Sequence, residues 1–396
     1  MIEGRDTLES VVVLADESAD WKVAGLRQLD RLVLALNEFA GAGRNNEILI
    51  FCRPDIPTDK RWLPNDTRTK RVRTTESLSA LHPGVRFITT RFVVDRNAIG
   101  QFLETTPILQ GEAANLDTPD LWRRLFGQFE SACRDGSRWQ YLSAVTDIRT
   151  CERVFLSRSG KPQDGIVSRL INRPLSRPVT RLLLNLPIKP TTWTLSMLAQ
   201  PLVALVFLLR GDYVGILIGT TFYQLSSMLD GCDGEIARAK YLESKRGAWV
   251  DDICDLTGGF LFMIGLGFGL YHSQASVWYA AEGILWTLIM AANELLLRAS
   301  TVEIEPGADT LTGAAYPRHR QLIEHSGVLF LGERFVGWMI QLSKRDVGIF
   351  LYLLLALIGL GEWILHLALV LAAPGLVLTG ITRIKTRTDR RRAMTR

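Results

Sequence analysis

The chain has 396 residues, enough for about two or three domains, with 22% charged residues, 47% apolar residues and a net charge of +5. Its mean hydropathy is still slightly positive, +0.12, with a pI near 9.0. This composition excludes a disordered chain and a collagen-like repeat, and five cysteines without a CxxC pair exclude a disulfide scaffold. Charge and apolarity are segregated: most charge lies before residue 190 or in short clusters after it, and long apolar runs begin near Thr191. The start, MIEGRDTLES followed by VVVLA, lacks the basic start and long apolar core of a secretory signal. The five histidines show no metal-ligand spacing, and the cysteines read as reduced thiols.

In chain order, residues 1–160 read as a soluble α/β domain. Strands are expected at Ser10–Ala15, Glu47–Cys52, Arg86–Val94 and near Arg153–Ser157, and helices at Gly25–Ala40, Asn97–Leu103 and Asp120–Cys133. Alternating strands and helices predict a parallel sheet covered by helices. Residues 161–190 form a basic connector: Arg169, Arg173, Arg177 and Arg181 run beside Ile166, Leu170, Ile171 and Leu175. That pattern suits an amphipathic helix on a membrane surface, or a plain linker helix.

Six apolar stretches follow: Thr191–Leu209, Val214–Leu229, Trp249–Tyr271, Val277–Leu297, Val347–Leu360 and Trp363–Ile381. A helix crossing the hydrocarbon needs about 20 mostly apolar residues. Arg238, Lys240, Lys245 and Arg246 lie between spans two and three, and Arg298, Arg318, Arg320, Arg334, Lys344 and Arg345 between spans four and five. The other connections have one base at most, so the positive-inside rule expects six spans within 191–384 and both termini in the cytoplasm. Seven of the last sixteen residues are Arg or Lys. The tail 385–396 suits an anionic lipid surface, or a solvated end that fixes topology, and not nucleic acid.

Chemistry concentrates where span two ends, MLDGCDGEIARAK, and span three begins, GAWVDDICDLTGG. Asp230 and Asp233 share a helix face, as do Asp251 and Asp255. A bend near residues 242–247 would bring four carboxylates to one pocket at the cytoplasmic boundary. A central intramembrane Asp costs about 2.5–3.5 kcal/mol, and like charges add repulsion. Divalent cations with oxygen ligands offset this, so the cluster points to Mg²⁺ or Mn²⁺. With small residues at Gly234, Ala237 and Gly247 and a forked donor at Arg238, the pocket suits a pyrophosphate. Asp252 lies about 100° around the helix from Asp251 and is read as polar lining. An ion path through the membrane is the competing reading, but the acids cluster at one face.

The string D-x2-D-G-x2-A-R-x8-G-x3-D-x3-D resembles the signature of the CDP-alcohol phosphotransferase family, with all eight fixed positions present. The resemblance covers roughly residues 162–384. It implies transfer of a phosphoalcohol from a CDP-alcohol to a second alcohol with release of CMP, and a homodimer at the inner or cell membrane. On this chain it makes Asp230, Asp233, Asp251 and Asp255 metal ligands, Asp255 also the base for the acceptor hydroxyl, and Gly234, Ala237, Arg238 and Gly247 the CMP-diphosphate pocket. KPQDGIVSRLINRPLSRPVTRLLL and QLSSMLDGCDGEIARAKYLESKRGAWVDDICD resemble, more narrowly, the synthase half of bifunctional inositol-phosphate cytidylyltransferase/di-myo-inositol phosphate phosphate synthases. That implies CDP-inositol as donor, with a CDP-diacylglycerol-dependent phospholipid synthase as the alternative. Lys161, Arg169, Arg173 and Arg345 are then candidates for an acceptor phosphate or for lipid headgroups. The N-terminal half departs from those relatives: where LAAGxGxR is expected, the chain has VVVLADESADWKVAGLRQLDRLVLAL. Residues 1–160 are therefore read as a degenerate nucleotidyltransferase-like domain with a structural or regulatory role.

Overall fold

The computed structural model describes residues 10–41, 47–53, 62–75, 85–106, 118–132, 138–158, 160, 164–299, 344–373 and 376. They fall into two compact units, Met1–Ser159 with Ala239–Tyr241, and Gly160–Arg238 with Leu242–Arg396. Cys133, Lys161, Arg318, Arg320, Arg334 and the basic tail lie outside the described residues.

In the first unit, β1 (Ser10–Ala15), β4 (Glu47–Cys52), β5 (Val72–Thr75) and β6 (Arg86–Thr89) form one sheet in the order β5-β4-β1-β6, and the short strands β2 (Lys22–Val23) and β3 (Leu26–Arg27) form a separate antiparallel pair. Every pairing in the four-stranded sheet is parallel, with Ser10 opposite Glu47 and Val11 opposite Arg86. Val11–Ala15 and Ile48–Cys52 are buried, the continuous apolar run of strands covered on both faces. Helix α1 (Gln28–Gly41) presses Leu29, Leu32, Val33 and Leu36 into that core.

Two local expectations are corrected. Arg86–Val94 is two strands, not one: the turn at Thr90–Arg91 ends β6, and β7 (Phe92–Val94) pairs antiparallel with β8 (Trp139–Tyr141). The break is fixed by Asp16, whose carboxylate accepts from Thr90 Oγ1 at 3.2 Å and from Arg91 Nε at 2.7 Å. Residues 153–157, expected as a strand, belong to helix α4 (Ile148–Ser157), which buries Cys151, Glu152 and Leu156. A short apolar run does not by itself distinguish strand from buried helix. The other helices of the unit, α2 (Ile99–Thr105) and α3 (Thr118–Ala132), lie within two residues of expectation.

Burial pushes the Cys151 thiol up to about 12, against the opposing pull of Arg31. Because the thiolate is the nucleophile, Cys151 is expected to resist iodoacetamide at pH 8.5 in the native protein and to react after denaturation. Rapid native labelling would contradict this packing.

The carboxyl end of β1, between β4 and β6, is where open α/β sheets bind anionic ligands. Here Asp16, Ser18 and Thr90 are buried there. Asp16 accepts from the Ser18 amide at 2.9 Å, and Arg91 also pairs with Glu17 at 2.6 Å. The donors at this position are thus taken by the protein's own carboxylates.

In the second unit the connector is helical, a π turn at Ser168–Asn172 leading into α5 (Arg173–Leu184). Its apolar Leu170, Leu175 and Leu182 are exposed, whereas Arg173, Ser176 and Thr180 are buried on one face. Then come α6 (Pro190–Met197), α7 (Ala199–Leu208), α8 (Tyr213–Ala239), α9 (Lys245–Gln274), α10 (Val277–Ala299), α11 (Arg345–Leu357) and α12 (Trp363–Ala373). Tyr223, Phe262 and Tyr352 stack at their centre, with ring centroids 4.3 and 6.0 Å apart. Glycine lets α9 and α10 touch: a Cβ on Gly267 would stand 2.8 Å from the Tyr279 carbonyl oxygen, the close backbone approach favoured where lipid removes the hydrophobic drive.

Pro190–Leu208 and Lys245–Gln274 are long and apolar enough to cross a bilayer, and Trp363–Ala373 is apolar but shorter. The expected spans two, four and five coincide with α8, α10 and α11. The sixth is helical to Ala373, and most of its remainder lies outside the described residues. The expected α/β domain followed by a helical domain is present, and among the described residues two of the six expected spans have the length and composition to cross a bilayer.

Candidate active site

The site is built where α8 ends and α9 begins. Ser244 caps α9, its Oγ accepting from the Gly247 amide at 3.0 Å, a contact that removes one unsatisfied donor from the helix start. This sets the first turns of α9, and with them Asp251 and Asp255, opposite the last turns of α8.

One carboxylate oxygen from each of Asp230, Asp251 and Asp255 lies within 4.8 Å of the others. Ligand oxygens around a single Mg²⁺ sit about 2.0–2.1 Å from the ion, so oxygens on opposite sides of it stand just over 4 Å apart. The three aspartates therefore suit a hard divalent cation in both spacing and donor chemistry. Asp230, Asp251 and Asp233, but not Asp255, line a cavity of about 310 Å³, and Asp233 is held differently from the other aspartates: the Thr194 hydroxyl donates to its carboxylate.

Gly234 also lines this cavity, with Asp164, Arg173, Gly231, Lys344 and Arg345. Ala237, Arg238 and Gly247 are not among the lining residues. Arg238 lies against Gly234, where an added Cβ would stand 3.1 Å from its Nη1. Asp252 is exposed. Arg345, at the start of α11, forms an ion pair with Asp255. Among the other basic candidates, Arg169 is exposed, and Arg173 is buried and bonded to Asp164 and Glu235.

Sequence reasoning missed Thr194, Asp164, Glu235 and Asp346. Asp346 accepts from the Ser168 amide at 2.7 Å, and Lys344 donates to the Asp164 carbonyl at 3.4 Å. Two of these had a legible signal: Glu235 is an acid inside an apolar helix, and Asp164 an acid beside a basic helix. Glu235 meets Arg173 from 62 residues away, which no local pattern shows, and Asp164 meets Arg173 only because the chain between them winds through a π turn.

Residues 187–374 match the model of the family "CDP-alcohol phosphatidyltransferase". That segment holds the four aspartates and all of α6 to α12. The chain is also similar to proteins named "Bifunctional IPC transferase and DIPP synthase". The one from Archaeoglobus fulgidus is 38% identical over 145 residues, 36% of this chain and 28% of that protein. The one from Rubrobacter xylanophilus is 34% identical over 153 residues, 39% and 34% of the two chains. The one from Aquifex aeolicus is 28% identical over 238 residues, 60% and 48%. The matches thus span less than half the length of these relatives.

Proposed function

We propose that the protein is a membrane-embedded phosphotransferase that moves a phosphoalcohol from a CDP-alcohol to the hydroxyl of a second alcohol and releases CMP. The observation that carries this is the convergence of Asp230, Asp251 and Asp255 inside the segment that matches the family. Asp230, Asp233, Asp251 and Asp255 would hold Mg²⁺ or Mn²⁺. When bound, the metal neutralises diphosphate oxygens and stabilises the charge of the leaving CMP.

The remaining chemistry falls to the chain itself. Asp255 accepts the acceptor hydroxyl proton as the new phosphate ester bond forms and the bond to CMP breaks. To do so it must part from Arg345, which is then free to meet an incoming phosphate with a forked donor. Gly234 leaves room for the diphosphate beside α8, and Arg238, packed on Gly234, adds positive charge behind it. Ala237 and Gly247 do not line this cavity, and their assignment to the CMP-diphosphate pocket rests on the sequence signature. Arg173, with its guanidinium engaged, is assigned no substrate contact.

In this reading the helical domain crosses the membrane six times, with both termini and the site in the cytoplasm. The connector 161–190 lies along the membrane surface, and the exposed Leu170, Leu175 and Leu182 support this. The likeness to proteins named for IPC and DIPP favours an inositol-type donor and acceptor over CDP-diacylglycerol. The protein would act as a homodimer.

Donor choice is tested by CMP release from purified protein in detergent with Mn²⁺ and inositol phosphate, supplying CDP-inositol or CDP-diacylglycerol in separate reactions. Release with CDP-inositol alone is the expected result. Release with the lipid donor alone would make this a phospholipid synthase.

A further inference from the structure

The best-bonded side chain beside the proposed metal site is not one of its ligands. Arg173 opens α5 and is 7% exposed. Its Nε and Nη2 donate to the two oxygens of Asp164 at 3.0 and 3.3 Å. Its Nη1 donates to the Gly231 carbonyl at 3.1 Å and to Glu235 Oε1 at 3.0 Å. The other oxygen of Glu235, a fully buried side chain, accepts from the Thr180 hydroxyl at 2.6 Å. Each nitrogen of the guanidinium is engaged, and both oxygens of each carboxylate have a partner.

The placement on α8 gives this network its meaning. Gly231 and Glu235 are four residues apart and share a face, with Cys232 beside them reaching the Ser176 carbonyl at 3.8 Å. Asp230 and Asp233 project on the neighbouring face of the same turns. Gly231 stands at a variable position of the sequence signature, yet a Cβ there would overlap the Arg173 guanidinium. Glycine is what allows Arg173 to lie flat against α8 and bond its backbone.

We infer, building on the proposed metal-dependent transfer, that Arg173 is a positioning residue. With Asp164, Glu235 and Thr180 it clamps α5 onto α8 beside the cavity and fixes the rotation at which α8 presents Asp230 and Asp233 to the metal. Bonding that sets the orientation of metal ligands typically changes metal affinity or activity by about 10–100-fold when removed. A buried ion pair broken from one side also leaves an uncompensated charge, so single removal of Arg173 carries a folding risk. Gly231→Ala and Thr180→Val disturb the clamp without removing any charge and avoid that risk.

The test is Mn²⁺ binding to the full-length protein in detergent, followed by electron paramagnetic resonance, together with kcat, acceptor KM and thermal melting. Gly231→Ala and Arg173→Gln are expected to weaken Mn²⁺ binding about tenfold or more and to lower kcat, with acceptor KM unchanged. Thr180→Val should weaken binding to a smaller degree, and Thr180→Ser, which keeps the hydroxyl, should match the wild type. Unchanged Mn²⁺ binding in Gly231→Ala and Thr180→Val would overturn the inference. So would an Arg173→Gln variant that binds Mn²⁺ normally and loses only acceptor affinity, because Arg173 would then be a substrate ligand. A wild-type protein that binds no Mn²⁺ would overturn the metal-site reading and this inference with it.

Discussion

Asp230→Asn is expected to lower CMP release by at least about three orders of magnitude and to remove most Mn²⁺ binding. Asp230 shares its immediate surroundings with Asp251 and Asp255, all three oxygens lying within 4.8 Å. Two unit charges about 4 Å apart interact by about 4 kcal/mol at an effective dielectric constant near 20, or roughly three decades in binding. The same substitution should act in the opposite direction on the metal-free protein. Three carboxylates so close repel one another, and removing one charge relieves that repulsion. Asp230→Asn should therefore melt higher than the wild type in chelator and lose the stabilisation that Mn²⁺ gives the wild type. An active Asp230→Asn protein, or one that melts lower in chelator, would count against a carboxylate metal centre.

The second large effect concerns the N-terminal domain. Supplied with CTP and inositol phosphate in place of a CDP-alcohol, the full-length protein is expected to release no pyrophosphate above the enzyme-free rate. A triphosphate cradle needs free backbone amides and unpaired basic groups. At the carboxyl end of β1 the chain instead reads Ala-Asp-Glu-Ser-Ala-Asp, without glycine. Asp16 takes the Ser18 amide and Arg91 Nε, and Glu17 takes a second nitrogen of Arg91 and one of Arg53. A nucleotide would have to displace carboxylates already seated where its phosphates would lie. Pyrophosphate release from CTP, measured alongside a CDP-inositol reaction as a working control, would show the domain to be active.

The helical half was legible because its signals are local. An apolar stretch marks a helix, and aspartates three and four residues apart share a face by helix geometry alone. The convergence of Asp230 with Asp251 and Asp255 followed from those spacings and a short bend. What could not be read was the division of labour: Thr194 holds Asp233, and Arg345 pairs with Asp255 from about ninety residues away. Arg173 shows the limit most clearly. Its position in a basic stripe suggested a surface cation, whereas Asp164 and Glu235 draw it into a buried network. In the α/β half, buried parallel strands announced themselves as apolar runs, and β1 and β4 have the expected limits. The run Arg86–Val94 did not reveal its own interruption, because the turn at Thr90 is imposed by Asp16, 74 residues earlier. Residues 153–157 carried an apolar pattern that strand and helix share.

The central claim is transfer between alcohols at an aspartate-held metal, and phosphorus NMR of the product tests it most directly. Purified protein with Mg²⁺, CDP-inositol and inositol phosphate should form CMP and a phosphodiester in equal amounts. Neither should form in chelator or with Asp255→Asn. CMP appearing with free inositol phosphate and no phosphodiester, or product forming undiminished in chelator, would contradict it.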